Sequence, residues 1–205
     1  MFSDASPEYR SLNLVYSDSG NAAATRPAMD DRRWRMASFA DLIAYIVDQH
    51  HAYTRRELSR MAVLAAEVQL RHGHMYPELH QIRELIDTMN RDINAHMVQE
   101  EEMLFPRLEA LEKATESGTP APPSFFGSLL NPVRHMMGDH GNTAQMLKHL
   151  RMLTRDYTAP DDTCMTHRAL YQGLSNLEKD LHQHMHLEET ILFPRALAFE
   201  NADNR

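Results

Sequence analysis

The sequence predicts an all-α protein that folds as an antiparallel, up-down-up-down four-helix bundle. Four long stretches repeat apolar residues at three- and four-residue spacing, which is typical of helices that bury one face. No stretch shows the sustained alternation of apolar and polar residues that marks a strand. Segments rich in proline, glycine and aspartate separate the stretches, and short connections favour antiparallel neighbours.

The first helix begins after Ser38, whose hydroxyl suits an N-cap, and its apolar pattern continues to roughly Leu64. This helix carries two adjacent histidines, His50 and His51. A break at residues 73–77 separates it from the second helix.

The third helix follows a loop rich in proline and glycine at residues 117–128, where Phe125 and Phe126 are expected to fold back onto the bundle. Pro132 suits the first helical turn, because the backbone N–H groups of that turn have no partner within the helix and proline lacks this group. The fourth helix follows a further turn at residues 159–162.

The chain divides into three segments by composition. Residues 1–33 mix Ser, Asp, Ala, Gly and Pro with isolated apolar residues, a composition that rarely forms a core. We therefore expect an N-terminal tail or loose extension over 1–33, a bundle over 34–200 and a C-terminal tail over 201–205.

The charge balance and the cysteine count exclude several classes of partner. Asp and Glu outnumber Lys and Arg 29 to 21, and no dense basic cluster is present, which argues against a nucleic-acid partner. No apolar run approaches the ~20 residues that cross a bilayer, and the first residues do not resemble a secretory signal. Cys164 is the single cysteine, as expected in a reducing compartment. We expect a cytoplasmic protein without a membrane partner.

An internal repeat carries the strongest chemical signal. His96 and Glu100 lie four residues apart, as do His184 and Glu188, and each pair is followed by Leu-Phe-Pro. Residues four apart share one helix face, so each helix directs an imidazole and a carboxylate to one point. Both pairs continue an apolar stripe, where a carboxylate needs a compensating partner. One such pair is usually a solvated ion pair, but two matching copies predict a shared metal site.

The other two helices supply further imidazoles. His140 continues the stripe of the third helix, with Asp139 or a backbone carbonyl as the expected partner that orients it. In the first helix, His50 and His51 each follow an apolar residue by four positions, so periodicity does not choose between them.

Coordination arithmetic favours two metal ions. Four imidazoles with two bridging carboxylates give each ion two nitrogens and two oxygens, and an oxo or hydroxo bridge adds a fifth ligand. One position on each ion then stays open, and the donor set suits iron, manganese, cobalt or zinc. Nearby residues are expected to be solvated or to pack without binding metal: Glu101, Glu102, Glu189, His135, His149, His182, His186 and Cys164.

The sequence resembles the hemerythrin-like family, and more closely its repair-of-iron-centres (RIC) branch, whose members are di-iron proteins linked to nitric oxide stress. The matching segments are residues 34–51, 96–106, 139–140, 164–171 and 184–197. The resemblance implies two non-heme iron ions with an oxo or hydroxo bridge. It also favours His51 over His50. The implied ligands are His51, His96, Glu100, His140, His184 and Glu188, with both glutamates bridging.

The sequence departs from its relatives in two places. RIC proteins commonly begin with a small domain that bears adjacent cysteines, whereas the first 33 residues here contain none. Oxygen-carrying hemerythrins resemble the chain less, because their third helix supplies two histidines four apart, whereas Met136 and Ala144 flank His140 at that spacing.

The resemblance and the open positions together predict a function. We expect a protein that binds nitric oxide in nitrosative-stress defence and protects or repairs iron–sulfur proteins, with nitric oxide reductase activity as the enzymatic form of this hypothesis. The alternatives are an oxygen carrier or sensor that binds O2, an oxidase or peroxidase, and a metal-free structural bundle. Few neutral imidazoles and more carboxylates favour reactive over reversible chemistry.

Overall fold

The computed structural model describes residues 31–120, 123 and 127–203. Residues 1–30 of the expected tail lie outside this range, as does the expected fold-back of Phe125 and Phe126. The described part of the chain is helical and contains no strand, so the predicted all-α class is confirmed.

A short helix, α1 (Asp31–Met36), precedes the bundle. The first bundle helix comprises α2 (Phe39–Tyr45), a π-helical segment π1 (Ile46–His51) and α3 (Ala52–His72). The second comprises α4 (Glu78–Gln99), π2 (Glu100–Leu104) and α5 (Phe105–Ser117). The third is α6 (Leu130–Leu153). The fourth comprises α7 (Met165–Leu187), π3 (Glu188–Leu192) and α8 (Phe193–Asp203).

Polar side chains fix the ends of the first two bundle helices. Ser38 is the predicted N-cap, and its Oγ accepts a hydrogen bond of 3.0 Å from the backbone N–H of Asp41. The carboxylate of Glu112 accepts a bond of 2.8 Å from the N–H of Phe39, which ties the start of α2 to α5. Gly118, at φ 62°, ends α5 in the left-handed conformation that glycine adopts without strain.

An apolar core joins the bundle helices. The first helix packs against the second and the fourth, and the second packs against the third. Leu58, Ile86 and Leu174 are among the buried residues of this core. Along the second helix, the buried Ile93 precedes His96 and the buried Leu104 follows Glu100, so apolar residues enclose the polar layer on both sides. None of the described helices is both long and apolar enough to cross a lipid bilayer.

The π-helical segments lie where the predicted ligands are. In each segment a backbone N–H bonds to the carbonyl five residues earlier, as from Phe105 to Glu100 and from Phe193 to Glu188. Pro106 and Pro194 follow directly. A proline lacks the N–H for the usual bond and its ring crowds the carbonyl four residues earlier, and a wider turn relieves both problems. The repeated Leu-Phe-Pro thus accompanies a local change of helical register beside each glutamate.

Candidate metal centre

The structure brings all six predicted ligand residues together inside the bundle. They form two groups of four, and in each group one ligand atom per residue lies within 4.8 Å of the others. One group contains His51 and His184, and the other contains His96 and His140. Glu100 and Glu188 belong to both groups. All six side chains are buried, and His51, Glu100 and Glu188 are 0% exposed.

Glu100 spans the two groups with its two oxygens. Its Oε1 lies 3.3 Å from Nε2 of His96, which is one helical turn earlier on the same helix. Its Oε2 lies 3.4 Å from Nε2 of His51, on the first bundle helix. One carboxylate therefore faces both halves of the cluster.

Glu188 has the corresponding position on the fourth bundle helix. Its Oε1 lies 2.9 Å from Nε2 of His184, and its Oε2 lies 3.2 Å from Nε2 of His140 on α6. Two carboxylates that each span both groups have the placement that bridging ligands between two cations require.

A second set of carboxylates orients three of the four imidazoles, those of His51, His140 and His96. Nδ1 of His51 lies 2.6 Å from Oε1 of Glu101. Nδ1 of His140 lies 3.0 Å from Oε1 of Glu189. Each carboxylate accepts a hydrogen bond from Nδ1–H, so in the neutral ring the lone pair falls on Nε2, which points into the cluster.

These contacts change two sequence-based expectations. Glu101 and Glu189 were expected to be solvated acids, but each contacts an inward-facing histidine. The partner expected to orient His140 was a backbone carbonyl or its neighbour in sequence, Asp139. Instead its Oδ2 lies 3.3 Å from Nδ1 of His96, because adjacent residues on α6 face different helices and Asp139 faces the second one.

The imidazole nitrogens fit a cation at each half of the cluster. Nε2 of His51 lies 3.0 Å from Nε2 of His184, and Nε2 of His140 lies 3.2 Å from Nε2 of His96. Two unprotonated nitrogens at such a distance repel each other unless a proton or a metal ion lies between or beside them.

The carboxylate oxygens support the same fit. Both oxygens of Glu100 and Oε2 of Glu188 are buried and accept no hydrogen bond from any described residue. Buried oxygens without a donor are unfavourable by about 1–3 kcal/mol each, and by more when they are charged. The residues present therefore suit cations, and the two groups can hold a metal ion each.

Burial and neighbouring charges shift the pKa values of the residues in the cluster. Burial alone raises the pKa of Glu188, but the adjacent His184 and His140 hold it well below its ordinary value. Burial alone lowers the pKa of His140, but its contacts with Glu188 and Glu189 raise that pKa to about 10. Without a metal ion, a proton on His140 therefore balances part of the charge of the ionised carboxylates.

His50, the alternative that periodicity left open, lies outside both groups. Its Nδ1 lies 3.0 Å from Oδ1 of Asp180 on α7, and its ring stacks on that of His184 at 5.8 Å between centroids. His135 is also outside the groups, with a side chain that is 60% exposed. Periodicity could not separate His50 from His51, because both side chains are buried and only the direction of each ring differs.

Two spaces adjoin the cluster, one between the second and third bundle helices and one that also borders the fourth. An outer cleft of about 230 Å³ is lined by polar residues that include Asp92, Asn142 and Asp139, and it reaches His96. An inner cavity with room for about one water molecule lies against His96, His140 and His184, and its remaining lining includes Ile93, Leu181 and Met185.

The bundle and its paired histidine–glutamate groups define a hemerythrin-type cation-binding protein. The family model described as the hemerythrin HHE cation binding domain matches residues 42–196, and the chain belongs to this family. Three relatives are each an iron-sulfur cluster repair protein YtfE. The one from Edwardsiella ictaluri is 33% identical over 91% of this chain and 79% of its own. The one from Musicola paradisiaca is 30% identical over 93% of this chain and 80% of its own. The one from Cronobacter sakazakii is 28% identical over 96% of this chain and 92% of its own.

Proposed function

We propose that this protein binds two iron ions at the metal centre and acts in defence against nitric oxide, by protecting or repairing iron–sulfur clusters. One observation carries the proposal above the others. Two groups of two histidines each share the same pair of buried glutamates, which is the donor arrangement of a dinuclear site.

In this proposal, His51 and His184 hold one ion, and His96 and His140 hold the other. Glu100 and Glu188 bridge the pair, as the spread of their oxygens over both groups suggests. A bound pair of iron ions supplies open coordination positions and one-electron redox chemistry for a small gas.

The surrounding residues hold two of the proposed ligand imidazoles, His51 and His140, in the tautomer that can bind a cation. Glu101 and Glu189 keep the Nδ1 protons of His51 and His140, so the ring lone pairs face inward. Arg55 donates hydrogen bonds of 2.9 and 3.0 Å to the two oxygens of Glu101, which fixes that carboxylate in place. This support raises the basicity of the imidazoles and preorganises them for a cation.

The inner cavity supports a small, uncharged ligand. Its walls combine three of the proposed ligand imidazoles with the apolar side chains of Ile93 and Leu181. Water binds a diatomic gas far more weakly than it binds an ion. The gas therefore loses less hydration on entering such a space and enters it more readily. Nitric oxide, which the RIC resemblance suggests, satisfies this requirement, and so does O2.

The relatives support the choice of repair over oxygen carriage. YtfE of Edwardsiella ictaluri and of Musicola paradisiaca both carry the name iron-sulfur cluster repair protein, and the similarity covers 91% and 93% of this chain. The partners that we propose are therefore iron–sulfur proteins with damaged clusters.

Three measurements test the proposal. Protein made in iron-replete cells should contain about two iron ions per chain, and a metal content near zero would overturn the dinuclear assignment. Anaerobic titration of the reduced protein with nitric oxide should give a saturable adduct, and gas analysis for nitrous oxide separates a reductase from a binder. Incubation with an iron–sulfur enzyme inactivated by nitric oxide should restore its activity. A stable, dissociable O2 adduct without such restoration would favour oxygen carriage instead.

A further inference from the structure

The outer cleft and the inner cavity share part of their lining. Among the described residues, only His96 and Thr143 line both spaces. His96 is held in place by Asp139, which contacts its Nδ1, and by Glu100, which contacts its Nε2. Thr143 is thus the shared lining residue whose side chain no such contact holds.

Thr143 lies on α6, three residues after His140, and its side chain is therefore on the same helix face as that ligand. The residue is 8% exposed. Helical threonines commonly donate a hydrogen bond to the carbonyl four residues earlier, as Thr115 and Thr190 do here at 3.0 and 2.7 Å. Thr143 makes no hydrogen bond to any residue that the structure describes, so its hydroxyl is available to a ligand.

We propose that Thr143 is the gate between the cleft and the cavity, and that its hydroxyl donates a hydrogen bond to the small ligand bound at the metal centre. This inference rests on the proposed function, because it requires a metal-bound ligand in the inner cavity. The threonine side chain occupies either of two χ1 conformations on a helix, which lets the hydroxyl turn from the cleft to the cavity.

Three substitutions separate the gate from the donor. Thr143→Val keeps the size and removes the hydroxyl. Thr143→Ser keeps the hydroxyl and removes the methyl group. Thr143→Ala removes both. Thr54→Val is the matched control, since Thr54 lies three residues after His51 but lines neither space.

Azide bound to the oxidised, iron-loaded protein and nitric oxide bound to the reduced protein are suitable probes. Thr143→Val should lower azide affinity roughly fivefold, as the loss of one hydrogen bond predicts, with an unchanged association rate. Thr143→Ser should keep the affinity and bind both probes severalfold faster. Thr143→Ala should bind faster and more weakly. Iron content should be the same in all variants.

A spectroscopic readout isolates the hydroxyl. The infrared stretching band of bound azide should shift between H2O and D2O in the wild type and in Thr143→Ser, but not in Thr143→Val or Thr143→Ala. If the wild type binds a probe and all three variants behave like Thr54→Val, the role of Thr143 is wrong while the proposed function stands. If the iron-loaded wild type binds neither probe, the proposed function is wrong and the inference is overturned with it.

Discussion

Nδ1 of His51 lies 2.6 Å from Oε1 of Glu101, the residue that directly follows Glu100. The same relationship joins His140 to Glu189, which directly follows Glu188. Adjacent helical residues point about 100° apart, so one faces the centre while the next faces the neighbouring helix. Each copy of the repeat therefore supplies one carboxylate to the cluster and a second that orients an imidazole from another helix.

Glu101→Gln should weaken metal binding without unfolding the bundle. Glutamine keeps the shape but loses the charge that holds the Nδ1 proton of His51, and such changes typically lower metal affinity roughly 10- to 100-fold. A competition titration against a chelator measures the affinity, and circular dichroism measures helix content. Glu102→Gln is the control, because that neighbouring residue is exposed. Equal affinities in the two variants would contradict the role of Glu101.

Glu100→Ala and Glu188→Ala should each lower the metal content while the helix content stays largely intact. Each side chain spans both groups, so its loss removes a donor from both ions and not from one alone. Elemental analysis measures the metal content, with Glu84→Ala as an exposed control on the second helix. Retention of both ions in the double variant would contradict the bridging assignment.

The adjacent residues His50 and His51 offer a test in which burial is matched. Both are buried, at 3% and 0% exposed, but only the ring of His51 faces the cluster. His51→Ala should lose at least one ion per chain. His50→Ala should keep the metal and instead lose its contact with Asp180. Iron analysis of the two variants decides the assignment, and the reverse pattern would show that His50 is the ligand.

The sequence was sufficient for the bundle and, through helical spacing, for five of the six clustered side chains, while the choice of His51 over His50 came from the family resemblance. It was not sufficient for the contacts between helices. Asp139 lies beside His140 in sequence but orients His96. Glu101 resembles a solvated acid in the sequence, and only the packed helices bring it to His51. The π-helical segment at Ile46–His51 has no proline after it and no evident signal in the sequence.

The metal-free protein should lose stability as the pH rises above neutrality. Contacts with Glu188 and Glu189 outweigh burial and raise the pKa of His140 from 6.5 to about 10. A base with a raised pKa in the folded state contributes stability that is complete below pH 6.5 and disappears as the pH passes about 10. Urea unfolding of the metal-free protein across this range should show a falling midpoint. A flat profile would show that His140 is neutral without metal.

The metal-loaded protein is the control for this pH series. Metal ions replace the imidazole protons, so the loaded protein should keep its unfolding midpoint over the same range. Metal uptake should release protons to the solvent, and the release should be larger at pH 7 than at pH 10. A pH indicator in weak buffer measures this quantity directly.

Gly173→Ala and Gly138→Ala should change stability in opposite directions. A Cβ atom on Gly173 would lie 2.6 Å from Sδ of Met61, a fully buried residue on α3, whereas a Cβ on Gly138 meets no atom within 4 Å among the described residues. Alanine in a helix is favoured over glycine by about 1 kcal/mol. Gly138→Ala should show this gain in urea unfolding of the metal-free protein. At Gly173 the displacement of Met61 should exceed the gain, because overpacking a core typically destabilises by about 1–3 kcal/mol. Equal stabilisation by both substitutions would mean that α3 and α7 pack less closely than the structure has them.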